Sequence, residues 1–263
     1  MDSKLKITIA KNKIINESSK MLFDIHKQVG DKIKTLDADG LLLYLKKWIT
    51  YNATFAGAGL ELAKNWALAD IESAQFSYRN SRVSPKIMMA ILDEFALGKE
   101  SEMTHREMAW RMLECAAKIE GKNIGQIPDL LPEYTESITK FIFDGYSAEK
   151  FTALGFHFAA ERFAADEFTA LHDALETHHT QFYNSMTKMT FKDHVDGKEI
   201  QRSGISWITD HMRLEEEHFN FTKSAVAEAL NTCESKTFDS AVESIYAGIN
   251  RFIEVQRNFY ILL

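Results

Sequence analysis

Hydrophobic residues recur along most of the chain at intervals of three and four positions, the spacing that places them on one face of an α-helix. Turn-forming residues are rare: 3 prolines and 12 glycines among 263 residues are too few for a β-sandwich or an α/β barrel. No segment alternates convincingly as a strand. We therefore predict an all-α bundle of about eight or nine helices, in a single domain over residues 1–263.

Glycine, proline and capping residues set the expected helix boundaries. Ser84-Pro85 predicts a helix start, because serine is a good N-cap and proline fits the first helical position, and Gly98 predicts the end of that helix. Residues 121–132 hold two glycines and two prolines and form the main expected loop. The predicted helices cover residues 9–29, 37–79 with a break near 56–59, 84–97, 104–119, 133–144, 147–188, 203–231 and 236–262.

Composition and charge argue against several functional classes. The net charge is −7 and the basic residues are scattered, whereas a nucleic-acid surface concentrates Lys and Arg. No apolar run approaches the roughly 20 residues that span a bilayer, and the first residues lack the apolar core of a secretory signal. Cys115 and Cys233 lie outside any Cys-x-x-Cys motif and are interpreted as reduced core residues. We expect a cytoplasmic protein that binds neither nucleic acid nor membrane.

The strongest candidate site lies on one predicted helix. His211, Glu215 and His218 fall within about 60° of one another on the helical wheel. They continue the apolar stripe that begins at Ile208, so they face inward. A buried charge is costly unless it is paired or bound to a metal, and imidazole with carboxylate suits iron, manganese or zinc. We predict a metal site here; a helix whose polar residues bond to neighbouring helices is the alternative.

A second ionisable residue interrupts an apolar stripe at Glu161. It lies between Phe158 and Ala165 in a repeat of three and four, where an apolar residue is expected. Small neighbouring residues leave room for a ligand or a substrate. We interpret Glu161 as a metal ligand, with a buried pair to Arg or His as the alternative. His157 precedes it by one turn and is predicted to orient the carboxylate.

Two further candidates come earlier in the chain. Glu94 follows Ile87 and Ile91 at the same angular position, and His105 precedes Met108 by almost one turn. Each by itself also fits a hydrogen-bonded core residue. With the later motifs they complete a six-ligand set for two metal ions: Glu94, His105, Glu161, His211, Glu215 and His218.

With these residues the chain resembles the heme-oxygenase-like diiron oxidase and oxygenase superfamily. The family pattern is a Glu and, after a short polar loop, a His; a Glu on a later helix follows, and then His-x3-Asp-x2-His on another. Here Asp93-Glu94 and His105 flank a glycine-containing loop and match the first part. Glu161 matches the middle carboxylate, and residues 211–218 match the last part. As an order of helices, the resemblance spans about residues 10–260.

The resemblance implies a heme-oxygenase-like helical bundle that binds two Fe(II) ions through these six side chains and uses O2 as co-substrate. It implies an oxidase or oxygenase of natural-product or specialised metabolism. The substrate would be a small molecule with a carboxylate or an amine. Arg162 and the stripe of Tyr44, Trp48 and Tyr51 are candidates to hold that substrate, and core packing is the alternative role of the stripe. A homodimer is left open.

The chain departs from the family pattern in ways that affect the site. Glu215 stands where the family has Asp, so its longer arm is expected to shift the second metal. The interval between the first two ligands is longer than usual. Residues 189–204 are an apparent insertion, and they lengthen the interval after Glu161. Glu167 and Glu176 therefore remain alternatives for the middle ligand.

Three other functions remain open at this stage. A ferritin-like diiron bundle uses Glu-x-x-His pairs, and two such pairs occur, at 176–179 and 215–218. A metal-free enzyme of the same fold would need a catalytic cysteine, for which Cys115 is the candidate. A non-enzymatic helical interaction protein would account for the acidic surface, but it would leave the inward His and Glu residues unexplained.

Overall fold

In the computed structural model of the protein, which describes residues 3–72, 79–96 and 101–262, the hydrophobic stripes form a bundle of α-helices, and the all-α prediction is confirmed. These described ranges hold nine: α1 (Ser3–Ile33), α2 (Ala38–Glu72), α3 (Val83–Met89), α4 (His105–Ile119), α5 (Pro132–Tyr146), α6 (Lys150–His178), α7 (Thr180–Lys188), α8 (Ser206–Asn231) and α9 (Phe238–Leu262). Short 3-10 turns lie at Asn80–Arg82, Asp93–Phe95 and Ile124–Gln126, and strands β1 (Thr190–Val195) and β2 (Lys198–Ser203) form an antiparallel pair.

Helix α6 lies at the centre of the bundle, against α9, α8 and α1. Two glycines let the backbones of α6 and α9 approach closely. A Cβ added to Gly155 would lie 2.0 Å from the Ile245 carbonyl oxygen, and one added to Gly248 would lie 1.9 Å from the Thr152 carbonyl oxygen. Any larger residue at either position would push the two helices apart. Helix α6 is thus fixed against α9 while another of its faces meets α8 across the cavity described below.

Helix α2 continues through residues 56–59, where the sequence predicted a break. The small residues serve close packing instead. Ala58 is fully buried, and a Cβ on Gly59 would lie 3.4 Å from the side chain of Ile91. The two glycines in this stretch therefore do not interrupt the helix, because surrounding contacts outweigh their weak helix propensity.

The helix predicted to start at Ser84-Pro85 differs from the prediction. Helix α3 begins after Arg82, so these two residues lie inside its first turn and serine is not the cap. The amides of Ala90 and Ile91 donate to carbonyl oxygens three residues back, so the helix tightens and ends at Met89. Glu94 lies on the 3-10 turn that follows. The predicted helix end at Gly98 falls outside the described residues. By contrast, the start predicted for α4 is confirmed.

The segment predicted as one helix over 147–188 consists of α6 and α7. The chain leaves helical geometry at His179, whose backbone angles are φ −122° and ψ 43°. Its imidazole Nε2 lies 2.9 Å from the carbonyl oxygen of Ile33 at the end of α1. A contact with a distant part of the chain therefore accompanies the interruption, and local sequence alone does not reveal it.

The expectation of no strand is wrong within the insertion at 189–204. Asp196 and Gly197 both have positive φ, 50° and 72°, which is the geometry of a tight two-residue turn between antiparallel strands. Asp-Gly is a known sequence signal for this turn. The flanking residues are largely polar, so the hydrophobic alternation that would mark the strands is weak.

Candidate metal centre

A cavity of about 60 Å³ lies among α2, α4, α6 and α8, beside the 3-10 turn that precedes α4. Small and aromatic side chains form its apolar wall, among them Ala53, Ala160, Phe168 and Trp207. Its polar wall includes all six of the predicted site residues: Glu94, His105, Glu161, His211, Glu215 and His218. The fold therefore gathers side chains from distant segments around one internal space.

Glu94, His105 and His211 form one group, which we call the first triad. A ligand-type atom from each residue lies within 4.8 Å of the others. His105 Nδ1 is 3.0 Å from Glu94 Oε1, and His211 Nε2 is 3.5 Å from the same oxygen. His105 begins α4, whose start is fixed by a reciprocal cap between Thr104 and Glu107.

The ring of His211 is held with one nitrogen toward the cavity. Its Nδ1 lies 2.8 Å from the carbonyl oxygen of Trp207, which can only accept, so Nδ1 donates. The ring stacks on Phe168, with centroids 4.2 Å apart and planes 13° apart. In neutral His211, Nε2 therefore presents a lone pair to the Glu94 carboxylate. Two facing acceptors need a proton or a metal cation between them, and a metal-binding histidine has this arrangement.

The Glu94 side chain stays ionised at neutral pH. Burial acts to raise its pKa, but the imidazoles of His105 and His211 outweigh burial and hold the pKa well below its usual range. Metal ligands must be deprotonated to bind. The carboxylate of the first triad is therefore in the form that a metal requires.

Glu161 on α6 and Glu215 and His218 on α8 form the second triad, again with ligand-type atoms within 4.8 Å. His218 Nδ1 lies 3.7 Å from Glu215 Oε2 and 3.9 Å from Glu161 Oε2, both longer than a hydrogen bond. Glu215 Oε2 is buried without a hydrogen-bond partner among the described residues. Two carboxylates thus share a small buried space, where like charges repel and a cation would stabilise them.

His157 lies behind the second triad. Its Nδ1 is 3.0 Å from the Tyr146 hydroxyl and 3.5 Å from Glu161 Oε1, so Tyr146 is the closer partner and the predicted orienting contact is long. Its Nε2 is buried with no hydrogen-bond partner in the described part of the chain. Burial, with a smaller effect from the charge of His218, lowers the pKa of His157 to about 3. The ring is therefore neutral at neutral pH.

Three carboxylates were candidates for the middle ligand, and among the described residues it is Glu161 that groups with two other ligand-type side chains in the cavity. Glu176 is exposed on the surface. Glu167 is only 1% exposed and lines the same cavity. Burial and then the charge of Glu167 raise the pKa of Tyr51. Glu167 is thus a fourth carboxylate beside the two triads.

The cavity wall carries an excess of negative charge. Against its four carboxylates, Arg106 is the one Lys or Arg among the described residues that line it. Arg106 follows His105 at the start of α4 and forms no ion pair or side-chain hydrogen bond within those residues. It also borders a surface groove that contains the half-exposed Trp110. Such a concentration of carboxylates favours cations in the cavity.

The residues proposed from the sequence to hold a substrate have different positions. Arg162 does not line the cavity, and its Nη1 donates to Asp166 Oδ2 at 2.6 Å. Tyr51 lines the cavity, whereas Tyr44 and Trp48 are buried core residues outside the lining. Arg106 is the basic residue that sequence reasoning missed, because the helical period placed it away from the apolar stripe.

The remaining chemical candidates lie outside the cavity. Glu176 belongs to an exposed group with His172 and Asp173, and exposed acidic groups of this kind are common without a metal. His179, its partner in the Glu-x-x-His motif, contacts a backbone carbonyl of α1 instead. Cys115 is buried, does not line the cavity, and has a pKa raised by burial, which disfavours the reactive thiolate.

Comparison with models of protein families gives no match, and comparison with curated proteins gives none either. No helix in the described ranges combines the length and the apolar character needed to cross a membrane. The two triads and their cavity are thus the features of the molecule that bear most directly on its function.

Proposed function

We propose that the protein is a non-heme diiron oxidoreductase, an oxidase or oxygenase that uses O2 on a small substrate bearing a carboxylate or an amine. The observation that carries the proposal is the presence of two buried imidazole–carboxylate triads around one cavity. Glu94, His105 and His211 would hold one Fe(II) ion, and the second triad would hold the other.

Both triads fit a divalent cation on their own geometry. In the first, His211 Nδ1 is held by the carbonyl oxygen of Trp207, and its Nε2 lies 3.5 Å from the Glu94 carboxylate. In the second, Glu215 Oε2 is buried without a hydrogen-bond partner among the described residues. Mixed imidazole and carboxylate ligands suit iron, and three protein ligands for each ion leave coordination positions for other molecules. Iron is favoured over zinc or manganese by the family resemblance.

Two Fe(II) ions, when bound, would supply two electrons to O2, and the substrate or an added reductant would supply any further electrons. The protein's own contribution is to hold the ligands and exclude water. Phe168 and Trp207 pack on His211 and close one side of the cavity. On the opposite side Tyr146 lines the cavity and contacts the neutral ring of His157. Small side chains such as Ala160 line the remaining space.

Arg106 supports the carboxylate-bearing class of substrate. Arg106 lines the cavity, has no ion pair in the described part of the chain, and borders the surface groove as well. A guanidinium binds a carboxylate through two parallel hydrogen bonds. An anionic substrate that approaches a cavity lined by four carboxylates needs such a compensating cation. Arg106 would therefore hold the substrate carboxylate at the mouth of the cavity.

The other candidate functions receive less support. A ferritin-like site would need inward Glu-x-x-His pairs, but Glu176 is exposed and His179 contacts the end of α1. A metal-free interaction protein would give no role to the grouping of Glu161, Glu215 and His218, and Glu215 Oε2 would stay buried without a hydrogen-bond partner among the described residues. Neither alternative uses the cavity that both triads share.

Anaerobic loading of the purified protein with Fe(II), followed by metal analysis and O2-consumption measurements, tests the proposal. We expect two iron ions per chain and consumption of O2 on exposure to air. In a double variant, His211→Ala with His218→Ala, each triad loses an imidazole, so iron binding and O2 consumption should both be lost.

The exposed group on α6 offers a matched control. Asp173→Ala with Glu176→Ala also removes two ligand-type side chains, but from the surface. This variant should bind two iron ions and consume O2 as the unmodified protein does. The proposal is wrong if the unmodified protein binds no iron, or if the variant without His211 and His218 still binds two ions.

A further inference from the structure

The hairpin of β1 and β2 contacts both segments that deliver the imidazoles of the first triad. It follows α7 and leads directly into α8, which carries His211. Its other side lies against residues 101–104, which lead into His105. A two-stranded hairpin is marginally stable by itself, so these contacts are what fix its position.

Three hydrogen bonds join the hairpin to the segment before His105. The amide of Glu102 donates to the carbonyl oxygen of His194 at 2.8 Å. The amide of Gly197, in the hairpin turn, donates to Glu102 Oε1 at 2.9 Å. The hydroxyl of Ser101 donates to Asp193 Oδ2 at 2.8 Å. The end of β1 and the hairpin turn thus hold this segment in place.

A charged chain of contacts continues from the hairpin to α8. Asp193 is fully buried, and Arg202 on the opposite strand donates to its carboxylate. The Nη1 of Arg202 also donates to Asp210 Oδ2 at 2.6 Å. Asp210 directly precedes His211 in α8. One guanidinium therefore joins the buried carboxylate that holds Ser101 to the residue beside a first-triad imidazole.

We propose that the hairpin is a positioning clamp for the first triad, with Asp193 and Arg202 as its positioning residues. This inference rests on the proposed metal-binding function. The clamp sets the distance between the start of α4 and the start of α8, and so the separation of His105 and His211. A buried ion pair adds little stability over an apolar pair, so its value here lies in fixing one geometry.

The test replaces Arg202 by lysine, which keeps the charge but cannot hold two carboxylates with one planar group. Fe(II) affinity is measured separately for each triad. In a His218→Ala background the first triad alone should bind, and in a His211→Ala background the second triad alone should bind. Arg202→Lys should weaken binding at the first triad about 10-fold, the lower range for residues that orient metal ligands, and leave the second triad unchanged within about 2-fold.

Two further variants keep the result interpretable. Lys192→Gln removes the exposed Lys192–Glu199 ion pair of the same hairpin, whose Nζ and Oε2 atoms are 3.0 Å apart, and should change neither affinity. Asp210→Asn acts at the partly exposed end of the chain of contacts, so it should fold even if Arg202→Lys does not. It should weaken the first triad in the same direction. Equal affinities in Arg202→Lys, Asp210→Asn and the unmodified protein would overturn the clamp.

Hydrogen exchange on metal-free protein separates failure of the clamp from failure of the proposed function. Arg202→Lys should speed amide exchange in residues 101–105 and 206–211, whereas Lys192→Gln should not. If the unmodified protein binds no iron, the proposed function fails, and unchanged exchange would then overturn the clamp independently. If iron binds normally and both exchange and affinity are unchanged, only the clamp is wrong.

Discussion

The two triads take their side chains from different kinds of structure. The first combines a 3-10 turn, the start of α4 and the start of α8, so its geometry depends on irregular segments and on the hairpin beside them. The second joins two long helices, α6 and α8, which pack along each other. In the first triad Glu94 contacts both imidazoles, at 3.0 and 3.5 Å. In the second, His218 Nδ1 lies 3.7 Å from Glu215 Oε2 and 3.9 Å from Glu161 Oε2.

This difference concerns what each triad gains from a metal. In the first, Glu94 already has a hydrogen-bond partner, so the protein arranges the ligands before any cation arrives. In the second, Glu161 and Glu215 lie close together and Glu215 Oε2 has no hydrogen-bond partner in the described residues. A cation would relieve that repulsion. The first triad is therefore the more preorganised, and the second is the one whose stability depends more on the ion.

The largest expected effect is loss of one metal when either triad loses a ligand. His105→Ala should leave one iron ion per chain at the second triad, and Glu161→Ala should leave one at the first. Both should lower O2 consumption by more than about 100-fold, because the reaction needs both ions and a lost ligand exceeds the effect of an orienting residue. Metal analysis and an oxygen electrode measure the two effects. Two ions in either variant would contradict the assignment of that ligand.

Neutralising one carboxylate in each triad should change the stability of the metal-free protein in opposite directions. Glu215→Gln neutralises a buried carboxylate whose Oε2 has no hydrogen-bond partner among the described residues, and it should raise the free energy of unfolding by about 1–3 kcal/mol. Glu94→Gln removes a charged partner of His105 and should lower it by a similar amount. Urea unfolding in the presence of a chelator measures both. If both variants change the free energy of unfolding in the same direction, the proposed difference in preorganisation between the two triads is wrong.

His157, which lies behind the second triad, should contribute to the pH dependence of the free energy of unfolding. Its pKa is about 3 in the folded protein and about 6.5 when unfolded. Between these values the unfolded chain binds the extra proton, so stability falls as the pH falls below about 6.5. From pH 7 to pH 5 the metal-free protein should lose about 2 kcal/mol more than His157→Gln does. If urea unfolding shows that the unmodified protein and His157→Gln lose the same stability from pH 7 to pH 5, His157 is not held buried and neutral.

The smallest of these effects concerns the mouth of the cavity beside the first triad. Arg106→Met keeps an unbranched apolar stem and removes the guanidinium group with its charge. With short carboxylic acids and amino acids as test substrates for O2 consumption, the variant should raise KM about 10-fold and change kcat little, as expected for loss of a binding contact. Arg111→Met, one or two turns further along α4 and paired with Glu114, is the control. An unchanged KM in Arg106→Met would exclude the proposed carboxylate contact.

The sequence was most informative where one regular helix sets the geometry. His211, Glu215 and His218 share a face because the helical period requires it, and all three are buried as predicted. The division of the six residues into two triads could not be predicted in this way. Glu94 lies on a 3-10 turn and meets His211 from there. Glu161 and His218 meet where α6 packs against α8. Both groupings depend on tertiary packing, on which the period of one helix has no bearing.

Sequence reasoning also missed features whose local signal is weak. Asp196-Gly197 marks the hairpin turn, but the strands beside it lack a clear apolar alternation, so the hairpin was interpreted only as an insertion. Glu167 was named from the sequence only as an alternative middle ligand, although it lies four residues after Phe163 and four before Leu171, a spacing that indicates an inward face. Arg106 lines the cavity because α4 starts at the mouth, where a side chain off the apolar stripe still reaches the interior space. These positions follow from the assembled bundle.

X-ray diffraction at the iron absorption edge, from crystals grown anaerobically with Fe(II), tests the central claim most directly. We expect two anomalous peaks inside the cavity, one bounded by Glu94, His105 and His211 and the other by the second triad. A cavity without iron, or a single peak at the exposed group of His172 and Glu176, would contradict the proposed diiron centre.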